Sequence, residues 1–265
     1  YNLGVSYHNG QGVKQDLKEA MKWYRKSADK GDADAQVCLG VMYELGQGVP
    51  KDAKVAVKWY RKATEQGLAK AQTNLGVMYA DGRGVPKDEK EAVKWYRKAA
   101  DQGLAEAQFN LGLAYGNGVG ILKDDKEAVK WYRKAADQGY PRAQVQLGIM
   151  YSIGEGVLED DKEAVKWYRK AAEQDHAGAQ YNLGLIYDNG EGVAEDKQEA
   201  LKWYRKAAEQ DDAAAQFNLG MMYDNGDGVA EDKQEALRWY RKAAEQDDAD
   251  AQLILGFMYA YGEGV

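Results

Sequence analysis

The chain has 265 residues, of which 45% are hydrophobic and 30% charged, with a net charge of −7, one cysteine and two histidines. That balance argues against a general nucleic-acid partner, which needs clustered positive charge, and a single cysteine excludes an internal disulfide framework. No run approaches the ~18 apolar residues that a membrane span requires.

The chain opens without Met, at a point equivalent to the middle of a unit that then recurs, so the natural N-terminus and any targeting segment are expected to lie upstream. The unit is marked by Leu-Gly at Gly4, Gly40, Gly76, Gly112, Gly148, Gly184, Gly220 and Gly256, with a tyrosine three residues after each, from Tyr7 to Tyr259. Seven tryptophans, Trp23, Trp59, Trp95, Trp131, Trp167, Trp203 and Trp239, keep the same 36-residue spacing. An uninterrupted period of this size predicts stacked helical units sharing a core that grows along one axis, and hence one solenoid domain over 1–265.

Cys38 stands where other units mostly carry Asn and is expected to be an ordinary thiol. The string KWYRK at 58–62 sets two rings beside cations, as a nucleic-acid or sugar-stacking platform would. Its sevenfold recurrence instead assigns Trp59 and Tyr60 to a buried arc, and Lys58, Arg61 and Lys62 to solvent. Short links such as QGLAEAQ from Gln102 predict that consecutive helices are antiparallel neighbours. His8 and His176 are too far apart in a rigid stack to share a metal or acid–base site. The turn GEGV, Gly190 to Val193, supplies left-handed glycine to close a helix, but lacks the Lys-Ser/Thr of a phosphate-binding loop.

The unit from Val193 to Gly228 shows the pattern most clearly. Over Glu195 to Gln210, a turn of about 100° per residue gathers Ala200, Leu201, Trp203, Tyr204, Ala207 and Ala208 into one apolar arc. Lys202, Arg205 and Lys206 fall opposite, with Glu199–Lys202 and Arg205–Glu209 placed to pair. The second helix, Ala213 to Asn225, turns Ala215, Gln216, Leu219 and Tyr223 toward the first. Gly220 costs about 1 kcal/mol relative to Ala inside a helix, so its recurrence predicts another backbone passing too close for a side chain. Phe217, Met221, Asp224 and Asn225 form the other face, which must contact a neighbouring unit or line a groove. The segment Asp224 to Glu235 matches a calcium loop only at its two ends, because Gly226 and Gly228 occupy ligand places. No metal, cofactor or catalytic constellation is expected.

Residues 1–156 carry 24 Lys+Arg and 19 Asp+Glu, net +5, whereas residues 157–265 carry 12 and 24, net −12. This asymmetry is either a field that draws basic partners to the C-terminal half or the residue of duplication, since VAEDKQEAL begins at both Val193 and Val229. A half unit at the start and a lone leading helix ending at Val265 leave two open apolar ends, so end-to-end self-association of copies is a further expectation.

The pattern A-Q-x-x-L-G-x-x-Y-x-x-G-x-G-V followed by D-x-x-E-A-x-K-W-Y-R-K-A-A resembles the Sel-one-like repeat, a relative of the tetratricopeptide repeat, across the whole chain. The resemblance implies an all-α fold: a right-handed α/α superhelical solenoid of seven helix pairs plus an eighth leading helix, its Leu-Gly-Tyr helices lining the concave side. It implies a soluble, bacterial, non-enzymatic adaptor or scaffold that binds a protein or peptide segment. The cysteine-rich bacterial branch staples each repeat with a disulfide. This chain lacks those cysteines, so the enzymatic activity suggested for that branch is not carried over.

By the same resemblance, ligands would meet the leading helices at Asn74, Asn110, Asn182 and Asn218, with the aromatics Phe109, Tyr181 and Phe217 and the acids Asp188 and Asp224. A carboxamide both donates and accepts, so an asparagine ladder could hold the backbone of an extended peptide. The competing reading has each Asn tying a loop to its neighbour and the aromatics packing between units. The alternative function is a carbohydrate or cell-wall-fragment binder using aromatic rungs as stacking surfaces.

Overall fold

A computed structural model describes residues 1–264, which form fifteen α-helices and no strand. The Ala-Gln-x-x-Leu-Gly helices are α1 (Asn2–Asn9), α3 (Ala33–Leu45), α5 (Ala69–Asp81), α7 (Ala105–Asn117), α9 (Pro141–Ile153), α11 (Ala177–Asn189), α13 (Ala213–Asn225) and α15 (Ala249–Tyr261). The Trp-Tyr-Arg-Lys helices alternate with them: α2 (Leu17–Ala28), α4 (Ala53–Glu65), α6 (Glu89–Asp101), α8 (Asp125–Asp137), α10 (Asp161–Ala172), α12 (Lys197–Ala208) and α14 (Lys233–Ala244). Val265, where the last helix was expected to close, lies outside the described residues. Contacts gather into two compact units, Tyr1 to Ala135 and Ala136 onward, and within each unit every helix packs on the one before and the one after it in sequence.

The helix boundaries follow local chemistry. Even-numbered helices start after an aspartate, as at Asp52, Asp88 and Asp196, whose carboxylate accepts the orphan N–H of the first turn. This is why α12 begins at Lys197 rather than at Glu195. Odd-numbered helices end at a left-handed glycine, such as Gly46 (φ 76°) or Gly190 (φ 74°), whose N–H returns to the last turn. The short link back also needs a positive φ, supplied by Gly67 in the first unit and by Asp211 (φ 62°) in the second, where QDDAAAQ contains no glycine.

The recurring Leu-Gly has a different cause from the one expected. A Cβ added at Gly220 would lie 2.7 Å from the Tyr240 ring, and one at Gly40 would lie 2.3 Å from the Tyr60 ring. The helix glycine is therefore a notch for the KWYRK tyrosine of the following helix, rather than the crossing point of another backbone. Backbone crowding occurs instead at the second turn glycine: a Cβ on Gly84 would meet the Ala53 carbonyl oxygen at 2.3 Å. Tyr204, seated in the Gly184 notch, joins Ala200, Ala207, Leu219, Met222 and Trp239 in one core cluster that links three successive helices.

Candidate functional site

In the first unit, Asn74 lies near the Tyr60 hydroxyl, which donates to Glu44 Oε2 at 2.5 Å. Glu44 also accepts from Arg83 Nη1 at 2.6 Å, and Arg83 pairs in turn with Asp81. Asn110 takes the equivalent place on α7, half-buried, and makes no hydrogen bond with the described residues. Its neighbour Phe109 is only 1% exposed and packs in tilted contact on Tyr132, with ring centroids 5.9 Å apart. Phe109 therefore packs between helices instead of offering an open rung.

In the second unit, Asn218 lies near the Tyr204 hydroxyl, which donates to Asp188 Oδ2 at 3.4 Å. Asp188 accepts from Lys197 Nζ and Asp224 from Lys233 Nζ, each at 2.8 Å. Tyr181 and Phe217 tilt onto Tyr204 and Tyr240 with centroids 6.0 and 5.7 Å apart. Asn182 keeps a carboxamide with no hydrogen-bond partner among the described residues. Asn74 and Asn218 thus lie beside tyrosine hydroxyls, and Asn110 and Asn182 make no hydrogen bond with the described residues. Burial, and for Tyr60 the Glu44 carboxylate, push these hydroxyls upward; Tyr168, behind Asn182, is raised by burial to about 12. They stay neutral donors throughout the physiological range.

The cations of KWYRK do not simply face solvent. Arg61 donates to the Tyr79 hydroxyl at 2.9 Å and Arg205 to that of Tyr223 at 2.6 Å. Arg205 turns toward Tyr223, and no Arg205–Glu209 pair forms, whereas Glu199 and Lys202 do pair at 2.9 Å. Lys62 Nζ sits 4.5 Å from the Trp59 ring centroid and Lys170 Nζ 3.8 Å from that of Trp167, so lysines cover the outer faces of buried indoles. The Cys38 thiol is half-buried and raised by that burial, which lowers its reactivity.

Sequence reasoning missed a rail of glutamines. Gln180 is fully buried; its Nε2 donates to the Ala172 carbonyl at 3.1 Å, and its Oε1 accepts from Gln210 Nε2 at 2.7 Å. The same pair of bonds recurs at Gln36 with Gln66 and at Gln216 with Gln246. Each buried glutamine thereby satisfies a last-turn carbonyl of the preceding helix and anchors the end of the following one. The signal was present as two glutamine ladders of one period offset by 30 residues, but the pairing becomes visible only once both helix ends are placed.

His176 is the N-cap of α11, with Nδ1 accepting the Ala179 N–H at 3.3 Å, the role that Asp212 and Asp248 play elsewhere. Burial first, then the Arg142 charge, hold its pKa below the usual histidine value. Below about pH 6.5 the unfolded chain then binds more protons than the folded one, so stability should fall as pH drops through this window to the depressed folded pKa. Denaturation midpoints measured from pH 8 to pH 5 should show this decline, and His176→Asp should remove it by restoring the cap found at Asp212.

Eight segments, 1–32, 33–68, 69–104, 105–140, 141–176, 177–212, 213–248 and 249–265, match the Sel1 repeat. The chain belongs to the Sel1 repeat family. Among solved structures, a Sel1 repeat protein from Oxalobacter formigenes is 38% identical, with a TM-score of 0.83 over 97% of this chain and 74% of that one. The protective antigen c5321 of uropathogenic Escherichia coli, described as displaying an SLR fold, is 36% identical, with a TM-score of 0.59 over 100% of this chain and 72% of that one. The immunity protein PA5088 of Pseudomonas aeruginosa, at 24% identity and a TM-score of 0.53 over 82% of each chain, shares the fold. No curated protein sequence matches. The Sel1 assignment accounts for the all-α solenoid architecture within each unit, and no described helix is long and apolar enough to cross a membrane.

Proposed function

We propose that this Sel1 repeat chain is a non-enzymatic scaffold that holds an extended segment of a protein partner against its odd-numbered helices. The observation that carries the reading is that each unit offers on this face a half-buried carboxamide with no hydrogen bond to the described residues, Asn110 in the first and Asn182 in the second. An accessible carboxamide beside a neutral tyrosine matches the alternating donors and acceptors of a peptide backbone. Sugar stacking is not favoured, because Phe109 is buried and Tyr181 and Phe217 are packed against neighbouring tyrosines. The net charge of −12 over 157–265 favours a basic segment in that half, although Asp188 and Asp224 are already matched by Lys197 and Lys233.

The test is selection of binding peptides from a displayed random library against the full chain, followed by affinity measurement on a variant with Asn110, Asn182 and Asn218 all replaced by Ala. Each lost bond is worth about 0.5–1.5 kcal/mol, so affinity should fall at least tenfold while helicity is retained. Affinity unchanged alongside a lowered melting temperature would overturn the reading. Association with selected basic peptides should also slow steeply as salt is raised.

A further inference from the structure

One repeat departs from its neighbours in a way that opens a hole. Met42, Met78, Met150 and Met222 occupy one buried position on α3, α5, α9 and α13, and Ile186 occupies it on α11; α7 carries Ala114 there. Where α3, α11 and α13 carry Glu44, Asp188 and Asp224, α5 has Ala80. The missing side chains leave a cleft of about 170 Å³, walled by Ala80, Val93, Tyr96, Leu113 and Ala114, with Asn110 at its edge. An apolar cavity of about 150 Å³ is enough to admit benzene. Because Ala80 replaces the acid, no carboxylate stands before the Tyr96 hydroxyl as Glu44 stands before that of Tyr60.

Charge around the cleft is unbalanced toward the negative. Asp81 and Glu106 lie near Tyr96, and Glu89 lines the wall. Arg83 pairs with Asp81, Lys87 pairs with Glu89 at 2.8 Å, and the exposed Glu106 has no ion pair.

We infer that this cleft is the side-chain pocket of the groove, taking one branched aliphatic residue of the partner segment, with a basic neighbour of that residue meeting Glu106. The inference rests on the groove reading above and adds to it the residue class that anchors the partner. Asn110 holds the backbone of the anchor residue, and the space left by Ala114 receives its side chain. The corresponding place beside Asn182 is filled by Ile186, so the second unit offers no equivalent recess.

The test uses the isotopically labelled full chain and two acetylated, amidated pentapeptides, Gly-Lys-Leu-Lys-Gly and the same peptide with Ala for Leu. The leucine peptide should shift the Ala114 methyl and the Asn110 side-chain amide resonances and bind at least tenfold more tightly than its alanine counterpart. Ala114→Met, which installs the residue found at Met78, should abolish that preference without lowering the melting temperature. If this variant fails to fold, Ala80→Glu should reduce the preference from the opposite wall. Equal binding of the two peptides, or a leucine preference that survives both substitutions, would overturn the pocket. Leucine-peptide shifts at Asn182 but not at Ala114 would overturn the pocket and leave the groove standing, whereas the triple asparagine variant judges the groove by itself.

Discussion

Replacing Gly184 with Ala should destabilise the protein by about 1–2 kcal/mol, although alanine is the better helix former by about 1 kcal/mol. The new methyl would stand 2.4 Å from two ring carbons of Tyr204, which is fully buried and cannot withdraw. At Gly256 the same substitution meets nothing within 4 Å, because no KWYRK helix packs over α15 among the described residues, and there it should stabilise by up to about 1 kcal/mol. Denaturant midpoints for the two variants should move in opposite directions. A gain at both positions would show that the recurring glycine is not a notch for tyrosine.

The second large effect is expected along the glutamine rail. Gln180→Leu preserves bulk but leaves the buried Ala172 carbonyl without its partner, at a cost of about 1–3 kcal/mol, while the exposed Gln210 amide keeps the Lys206 carbonyl and water. Gln252, at the same repeat position but exposed and bonded only to the Ala244 carbonyl, should tolerate the change within about 1 kcal/mol. In a double variant, Gln180→Leu with Gln210→Leu, the loss should be smaller than the sum of the two single losses, because either single change already breaks the bond the two glutamines share. Additive losses in that cycle would contradict the pairing.

How much of this was legible in the sequence depended on the range of the interaction. The repeat period, the helix pairs and the glycine-capped turns are local or periodic features, and Ala213–Asn225 was expected with the same limits that α13 has. Contacts with a neighbouring helix were harder to read. The crowding at Gly220 was legible, but its source, the Tyr240 ring, lies 20 residues along the chain and reaches back across a helix interface. Arg61 projects onto the polar side of its own helix, and only the position of α5 brings the Tyr79 hydroxyl within its reach. For the candidate site, the helical face is an expectation that the resemblance supplies. Which asparagines lie beside a tyrosine hydroxyl was not readable, because that depends on how the preceding helix is placed. The Ala114 recess was visible as a departure from the repeat, yet an alanine in a list of methionines gains meaning only when the surrounding walls are shown not to collapse into the space.

The account stands on the odd-helix face as the binding surface, and site-directed photocrosslinking examines that most directly. A benzophenone amino acid would be placed at Asn189, exposed two turns beyond Asn182 on that face of α11, and in a separate variant at Lys166, exposed on α10. With a selected peptide bound, crosslinked product should form from position 189 and be near background from position 166. Efficient crosslinking from 166 with none from 189 would place the partner on the even helices and contradict the odd-helix surface.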